Sequence, residues 1–272
     1  MAYDAAAGPA PAVFFGHGSP SVALEDSDVT RAWRSMALSM GRPRAILSIS
    51  GHWMTRVAAV TAMEKPRTIH DFGGFPEEMY QIQYPAPGDP ELARRIVELL
   101  SPTPVALDES AWGLDHGTWT VLMKAYPEAD IPVVQLGVNA TMPMAWHFEV
   151  GRKLAALRDE GVMIMGTGNV VHNLAVMDWQ ARYGPGHGWA ERFHDYVRAA
   201  IEQDRPQNAV DYQALGADAR MAQPSPDHYL PLLYVLGARR PSDRVVIGPD
   251  HIEYRSVSML SAIFDSRAEA AA

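Results

Sequence analysis

The chain has 272 residues, 47% of them hydrophobic and 20% charged, within the usual range for a water-soluble globular protein. Its formal net charge of −9, with arginines scattered and no basic cluster, excludes a nucleic-acid binder that works through its overall field. It has no cysteine, so disulfides, thiolate metal sites and a cysteine nucleophile are excluded. Any metal has to be held by histidine and carboxylate ligands, a set that suits Zn, Fe, Mn or Cu.

In chain order, the small, Pro-rich start predicts a disordered arm over 1–11 rather than a signal peptide. An apolar run at 12–15 reads as a buried strand ending in Gly16-His17-Gly18-Ser19-Pro20, with a helix expected over 27–40. A second strand, 45–50, ends at Gly51-His52-Trp53, and a third, 57–63, leads into an irregular stretch over 68–87. Asp89-Pro90-Glu91 opens a helix to residue 100, with proline in the first turn, where its missing N–H costs little. Then come a short strand at 105–107, a helix at 116–125, a strand at 132–136 and a helix at 142–158. The strand at 162–165 ends in Gly166-Thr167-Gly168-Asn169; helices are expected at 189–203 and 227–236, and the last strands at 245–247 and 256–264.

Short apolar runs alternating with longer amphipathic ones predict an α/β fold. With no repeat, linker or composition break, one domain is expected over 12–265, with a flexible tail at 266–272. Its centre would be a mixed, mostly parallel sheet flanked by helices, with the site beyond the carboxyl ends of the strands. No run of about eighteen apolar residues occurs, so no membrane span is expected and the cytoplasm is the expected location.

Histidines carry the chemical signal. His17 and His52 each follow a glycine where a strand ends, which would put two imidazoles in one crevice; the plainer reading of His17 is a strand–helix turn. His172 follows a third strand end, and His228 stands at an expected helix start. His116 lies beside Asp115, a candidate to orient a neighbouring imidazole, and His70 lies on a Gly-rich loop suited to covering a site. His147, His187, His194 and His251 have no such setting and read as structural or surface residues. No H-E-x-x-H pair, G-x-S-x-G elbow, Walker loop or complete dinucleotide fingerprint occurs.

Six motifs in order are Gly-His-Gly-Ser-Pro (16–20), Ser-Gly-His-Trp (50–53), His-Asp-Phe-Gly-Gly-Phe-Pro (70–76), Asp-His-Gly-Thr-Trp (115–119), Gly-Thr-Gly-Asn-Val-Val-His-Asn-Leu (166–174) and Asp-His-Tyr-Leu-Pro-Leu (227–232). Together they resemble the class III extradiol ring-cleavage dioxygenases, nearest the DOPA 4,5-dioxygenase branch and related to the catalytic subunit of protocatechuate 4,5-dioxygenase. The resemblance runs from about residue 12 to 264. It implies His17, His52 and His228 as metal ligands, the last standing where the protocatechuate enzymes have a glutamate. It implies His172 as acid/base or fourth ligand, and His116 as a neighbour that hydrogen-bonds substrate or oxygen.

The implied activity opens a single-ring catechol with dioxygen to a semialdehyde acid. Fe(II) is expected for it, although three histidines also describe a Zn(II) site, and zinc has no redox state to use. Phe72, Phe75 and Tyr80 are expected on the aromatic ring, with His70 or Tyr229 near its substituent; for Phe75 and Tyr80 a place in the core is an equal expectation. The expected partners are a catechol and O2, without nucleic acid or membrane, in a monomer or homodimer. Three rivals stand beside this reading. One is a zinc hydrolase of an ester, amide or lactone using the same histidines. Another is a chelatase-like metal-handling protein, suggested by the His-Gly-Ser turn but opposed by the later motifs. The third is a binding module that has lost catalysis, which the intact histidines oppose.

Overall fold

Runs of aliphatic residues that are buried on both faces build the centre of the sheet. The computed structural model describes residues 8–267. In chain order the strands are β1 (Ala12–Gly16), β2 (Ala45–Thr55), β3 (Ala58–Thr61), β4 (Val105–Asp108), β5 (Val133–Asn139), β6 (Val162–Gly168), β7 (Arg244–Ile247), β8 (Ile252–Glu253), β9 (Val257–Ser258) and β10 (Ala262–Asp265). Every residue of β1, β5 and β6 is buried. The main sheet has the order β4-β3-β5-β2-β6-β1-β10-β7, and β8 and β9 form a separate hairpin. Its middle, β5-β2-β6-β1, is parallel, while β3 pairs antiparallel with β5 and β10 pairs antiparallel with both β1 and β7. The expected single α/β domain, with a mixed sheet around a parallel centre, is what the chain forms.

The helices are α1 (Asp28–Met40), α2 (Glu77–Gln81), α3 (Pro90–Leu100), α4 (His116–Ala125), α5 (Met144–Leu154), α6 (Gly188–Glu202), α7 (Pro206–Val210), α8 (Ala217–Ala222) and α9 (Leu230–Ala238). Alternation along β1 divides the core. Val13 and Phe15 join α1 and α4 on one face, whereas Ala12 and Phe14 join α3, α5, α6 and α9 on the other. Leu230–Ala238 is apolar all round, and every residue of α9 is buried. No helix among the described residues is long and apolar enough to cross a membrane.

Several boundaries differ from expectation. The helix expected over 142–158 ends at Leu154 and tightens into a 3-10 turn over Ala155–Glu160. The helix expected from 227 starts at Leu230, and the strand expected over 256–264 is divided between β9 and β10. The short helices α2, α7 and α8 span less than two turns and leave no period to read. Residues 1–7 of the expected arm and 268–272 of the expected tail lie outside the described residues. Ala10, in the described part of that arm, is fully buried and its N–H donates to the Arg158 carbonyl at 2.8 Å.

Arg158 ties these pieces together. Its fully buried guanidinium donates to the carbonyls of Ala10 (2.6 Å), Ala238 (2.8 Å) and Phe264 (3.2 Å), and makes a two-pronged pair with Asp243 at 2.6 and 2.9 Å. Removing the carboxylate strands a buried cation, which costs about 3–5 kcal/mol in comparable sites. Asp243→Ala should lower unfolding free energy by about that much in urea titrations, and a loss under about 1 kcal/mol would contradict this account.

Candidate metal centre and active site

Strand register brings the first two histidines together. Gly16 of β1 stands beside Gly168 of β6, and Ser50 of β2 beside Thr167. His17 follows β1 immediately. His52 lies inside β2, where the pairing with β5 slips between Ile49 and Met54, so the strand expected to end at residue 50 continues through it. The segment before α9 supplies His228, whose carbonyl accepts the Asn169 N–H at 2.9 Å. The Asn169 side chain also donates to the carbonyls of His17 and of Ser258, the latter at 2.8 Å. Close approach explains two glycines here. A methyl group on Gly168 would run into the His228 carbonyl, and one on Gly117 would lie 2.7 Å from Ser50 Oγ and 2.8 Å from His52 Cδ2.

The three imidazoles turn their Nε2 atoms toward one another. His17 Nε2 and His52 Nε2 are 3.1 Å apart, and His52 Nε2 and His228 Nε2 are 3.2 Å apart. Behind each ring an oxygen stands near Nδ1. The Thr167 hydroxyl donates to the Gly117 carbonyl (2.8 Å), so at 2.8 Å it accepts from His17 Nδ1, and that tautomer leaves His17 Nε2 bare. Asp71 Oδ2 lies 3.4 Å from His52 Nδ1, and Asp227 Oδ2 lies 3.4 Å from His228 Nδ1. Burial, then the neighbouring imidazoles, holds the pKa values of His17 and His52 well below the ordinary histidine value. Three Nε2 atoms converging in this way form a donor set that suits a cation, to which imidazole binds in its neutral form.

Spacing supports the fit to a metal. Two nitrogen ligands about 2.0–2.1 Å from one cation, at angles between square and tetrahedral, stand about 3 Å apart. His17, His52 and His228 together form one cluster able to hold an ion. Two further clusters, His52 with Asp71 and His116, and His172 with Asp227 and His228, each reuse one of its rings and add the carboxylate behind it. Those carboxylates occupy the position of supports that orient ligand histidines.

His116 and His172 flank the cluster. The His116 ring centroid is 3.9 Å from that of His52, at the start of α4. Asp71 Oδ1 accepts the His116 N–H (2.9 Å) and lies 3.0 Å from its Nδ1. Burial pushes the Asp71 pKa up, but His116 outweighs it and the net value falls below the usual carboxylate range. Asp115 does not orient the neighbouring ring. It caps α4 through the Thr118 N–H (3.1 Å) and takes the Gln135 amide, which turns its carboxylate inward, where burial raises its pKa. His172 stacks on His228 with centroids 3.6 Å apart and planes 11° apart; burial, then His228, brings its pKa down to about 3.

A cavity of about 320 Å³ opens onto these rings, lined by His17, His52, His116, His172 and His228 together with apolar side chains. Phe72 and Phe75 line it, their centroids 5.2 Å apart. His70 and Tyr80 do not line it. They pack behind Phe72, with His70 Nε2 donating to the Ile82 carbonyl (2.9 Å) and the Tyr80 hydroxyl accepting the Phe75 N–H (3.5 Å). Tyr229 requires a correction. Next to His228, it points away from the cavity into the core, where its hydroxyl donates to the Ala209 carbonyl (2.9 Å) and its ring packs on Tyr212. Reading the sequence missed Thr167, Asp71 and Asp227, although each lies in or beside a motif. It also missed the lining from Leu174, the last residue of a motif, and from Met177, Trp179, Glu253, Tyr254 and Val257, whose local sequence carries no signal.

Residues 11–265 match the family model described as the catalytic LigB subunit of aromatic ring-opening dioxygenase. The chain is 52% identical over 257 residues to the 4,5-DOPA dioxygenase extradiol of Escherichia coli (strain K12), covering 92% of this chain and 93% of that protein. It is 37% identical over 242 residues to the protein of the same name from Beta vulgaris, covering 83% and 85% of the two chains. The crystal structure of an uncharacterized protein from Escherichia coli K12 superposes with a TM-score of 0.81 at 46% identity, covering 94% of this chain and 99% of that one. A match spanning the sheet, the histidine cluster and the cavity shows that this chain belongs to the LigB family of extradiol, aromatic ring-opening dioxygenases.

Proposed function

We propose that this protein cleaves the ring of a DOPA-like catechol with O2, using Fe(II) held by His17, His52 and His228, with the catalytic unit spanning residues 12–265. The observation that carries this reading is the convergence of three Nε2 atoms at 3.1 and 3.2 Å beside an aromatic-walled cavity. The names of the relatives support the substrate class. When bound there, Fe(II) would acidify a catechol hydroxyl and provide the electron path between ring and dioxygen. Zn(II) suits the same donors but has no redox state, so zinc would fill the site without supporting ring opening. As part of the same proposal the protein acts in the cytoplasm on small molecules, as a monomer or homodimer, without nucleic acid or membrane.

The remaining work falls to the chain's own residues. His172 is assigned as the acid/base rather than a fourth ligand. It lies on the cavity wall and outside the three-histidine cluster, so it can take the catechol proton and return it to the departing oxygen. His116, with Asp71 beside it, is assigned to hydrogen-bond an oxygen of the substrate. Phe72 and Phe75 give the ring an apolar surface and keep water from the reacting carbons.

Metal-free protein reconstituted anaerobically with Fe(II) should consume one O2 per catechol and form a yellow semialdehyde, and the Zn(II) form should consume none. His17→Ala should abolish uptake. No uptake with any catechol, together with ester or lactone hydrolysis by the Zn(II) form, would reverse the assignment in favour of a hydrolase. His172→Ala should keep its iron and lower kcat by about 10²–10⁴-fold, the usual contribution of a general acid/base. Iron loss from that variant would instead make His172 a ligand.

A further inference from the structure

One wall of the cavity carries a charge that the steps above do not use. Apart from the histidines, Glu253 is the ionisable side chain lining it with a carboxylate, and neither lysine nor arginine is among the lining residues. Glu253 of β8 pairs across its hairpin with Val257 of β9, and Val257 in turn bridges to His172. Residues directly opposite on antiparallel neighbours point to the same face. His172, Val257 and Glu253 therefore form a row along the wall, and all three line the cavity. Two strand spacings put the ends of that row about 10 Å apart. That is close to the reach of a catechol ring carrying a two-carbon side chain and one hydrogen bond.

Glu253 is only 2% exposed. Its Oε2 accepts from Arg182 Nε at 3.2 Å, but Oε1 has no hydrogen-bond partner, and His251 Nε2 stands 3.6 Å away, beyond hydrogen-bonding distance. Arg182 commits its two terminal nitrogens to Glu25, at 3.0 and 2.6 Å. One guanidinium thus serves two carboxylates, and Glu253 receives only its Nε. A buried carboxylate oxygen left without a donor is costly, and a ligand that brings a charged donor recovers that cost.

Resting on the dioxygenase reading above, we propose that Glu253 is a specificity-determining residue. It receives a protonated amine on the side chain of the catechol, at the end of the cavity away from the metal ligands. A carboxylate on the same side chain meets no cation on the wall and turns toward solvent. The preferred substrates are therefore catechols bearing an amine, with or without a carboxylate, over catechols bearing a carboxylate alone.

Dopamine, DOPA and dihydrocaffeate share the ring and differ in these groups. Their dissociation constants would be measured by calorimetry under nitrogen on the iron-loaded wild type and on Glu253→Gln, with oxygen uptake followed in parallel. Wild type should bind dopamine and DOPA about tenfold or more tightly than dihydrocaffeate, the size of one charge-assisted hydrogen bond. Glu253→Gln should bring that ratio toward one. Equal binding of all three by wild type would overturn the proposal. So would a ratio that survives in Glu253→Gln, or affinities that all fall by one factor, as a purely structural carboxylate would give. Selective binding lost in Glu253→Gln without any oxygen uptake would keep Glu253 as the amine site and remove the dioxygenase reading. Uptake without selectivity would do the reverse.

Discussion

The convergence of three imidazoles, with successive Nε2 atoms 3.1 and 3.2 Å apart, is the constraint that the surrounding strands and loops serve. The Thr167 hydroxyl, already donating to Gly117, keeps the His17 proton on Nδ1 and so directs its bare nitrogen at the other rings. Asp71 and Asp227 stand behind the other two rings. The rings rest on the parallel register of β1, β6 and β2 at the centre of the sheet.

Much of this was legible in the sequence because strand ends carry their own punctuation. Gly16-His17 and Gly51-His52 each follow an apolar run, and a parallel α/β order puts such ends on one side of the sheet. The bulge that places His52 inside β2 left no sign, since a slip in pairing depends on β5, far along the chain. Phe72 was expected at the cavity from its Gly-rich loop, whereas for Phe75 the sequence left core and cavity equally open; both line it. Tyr229 was not legible, because its direction depends on where α9 begins, and one residue of phase turns a side chain from cavity to core. Asp71 and Asp227 are ordinary acidic residues in one dimension, and only the fold brings them behind rings from distant segments.

The cavity divides the labour. At the histidine end, five imidazoles line the cavity, with the carboxylates of Asp71 and Asp227 behind them. Further along the wall stands a buried carboxylate shared with Arg182, and between the two ends the surface is apolar. Such a gradient orients a molecule with a diol at one end and a charge at the other. Most of the far end, Met177, Trp179 and the β8–β9 hairpin, lies outside the six motifs quoted above. In the proposed reading, chemistry and selection fall largely to different parts of the chain.

The central claim is that His17, His52 and His228, and not His172, form the metal's protein ligand set. X-ray absorption on the Fe(II)-loaded protein, beside its His228→Ala and His172→Ala variants, tests it most directly. The account predicts three imidazoles in the wild type, two or a loss of iron in His228→Ala, and an unchanged three in His172→Ala. An imidazole lost from the spectrum of His172→Ala, or three retained in His228→Ala, would contradict it.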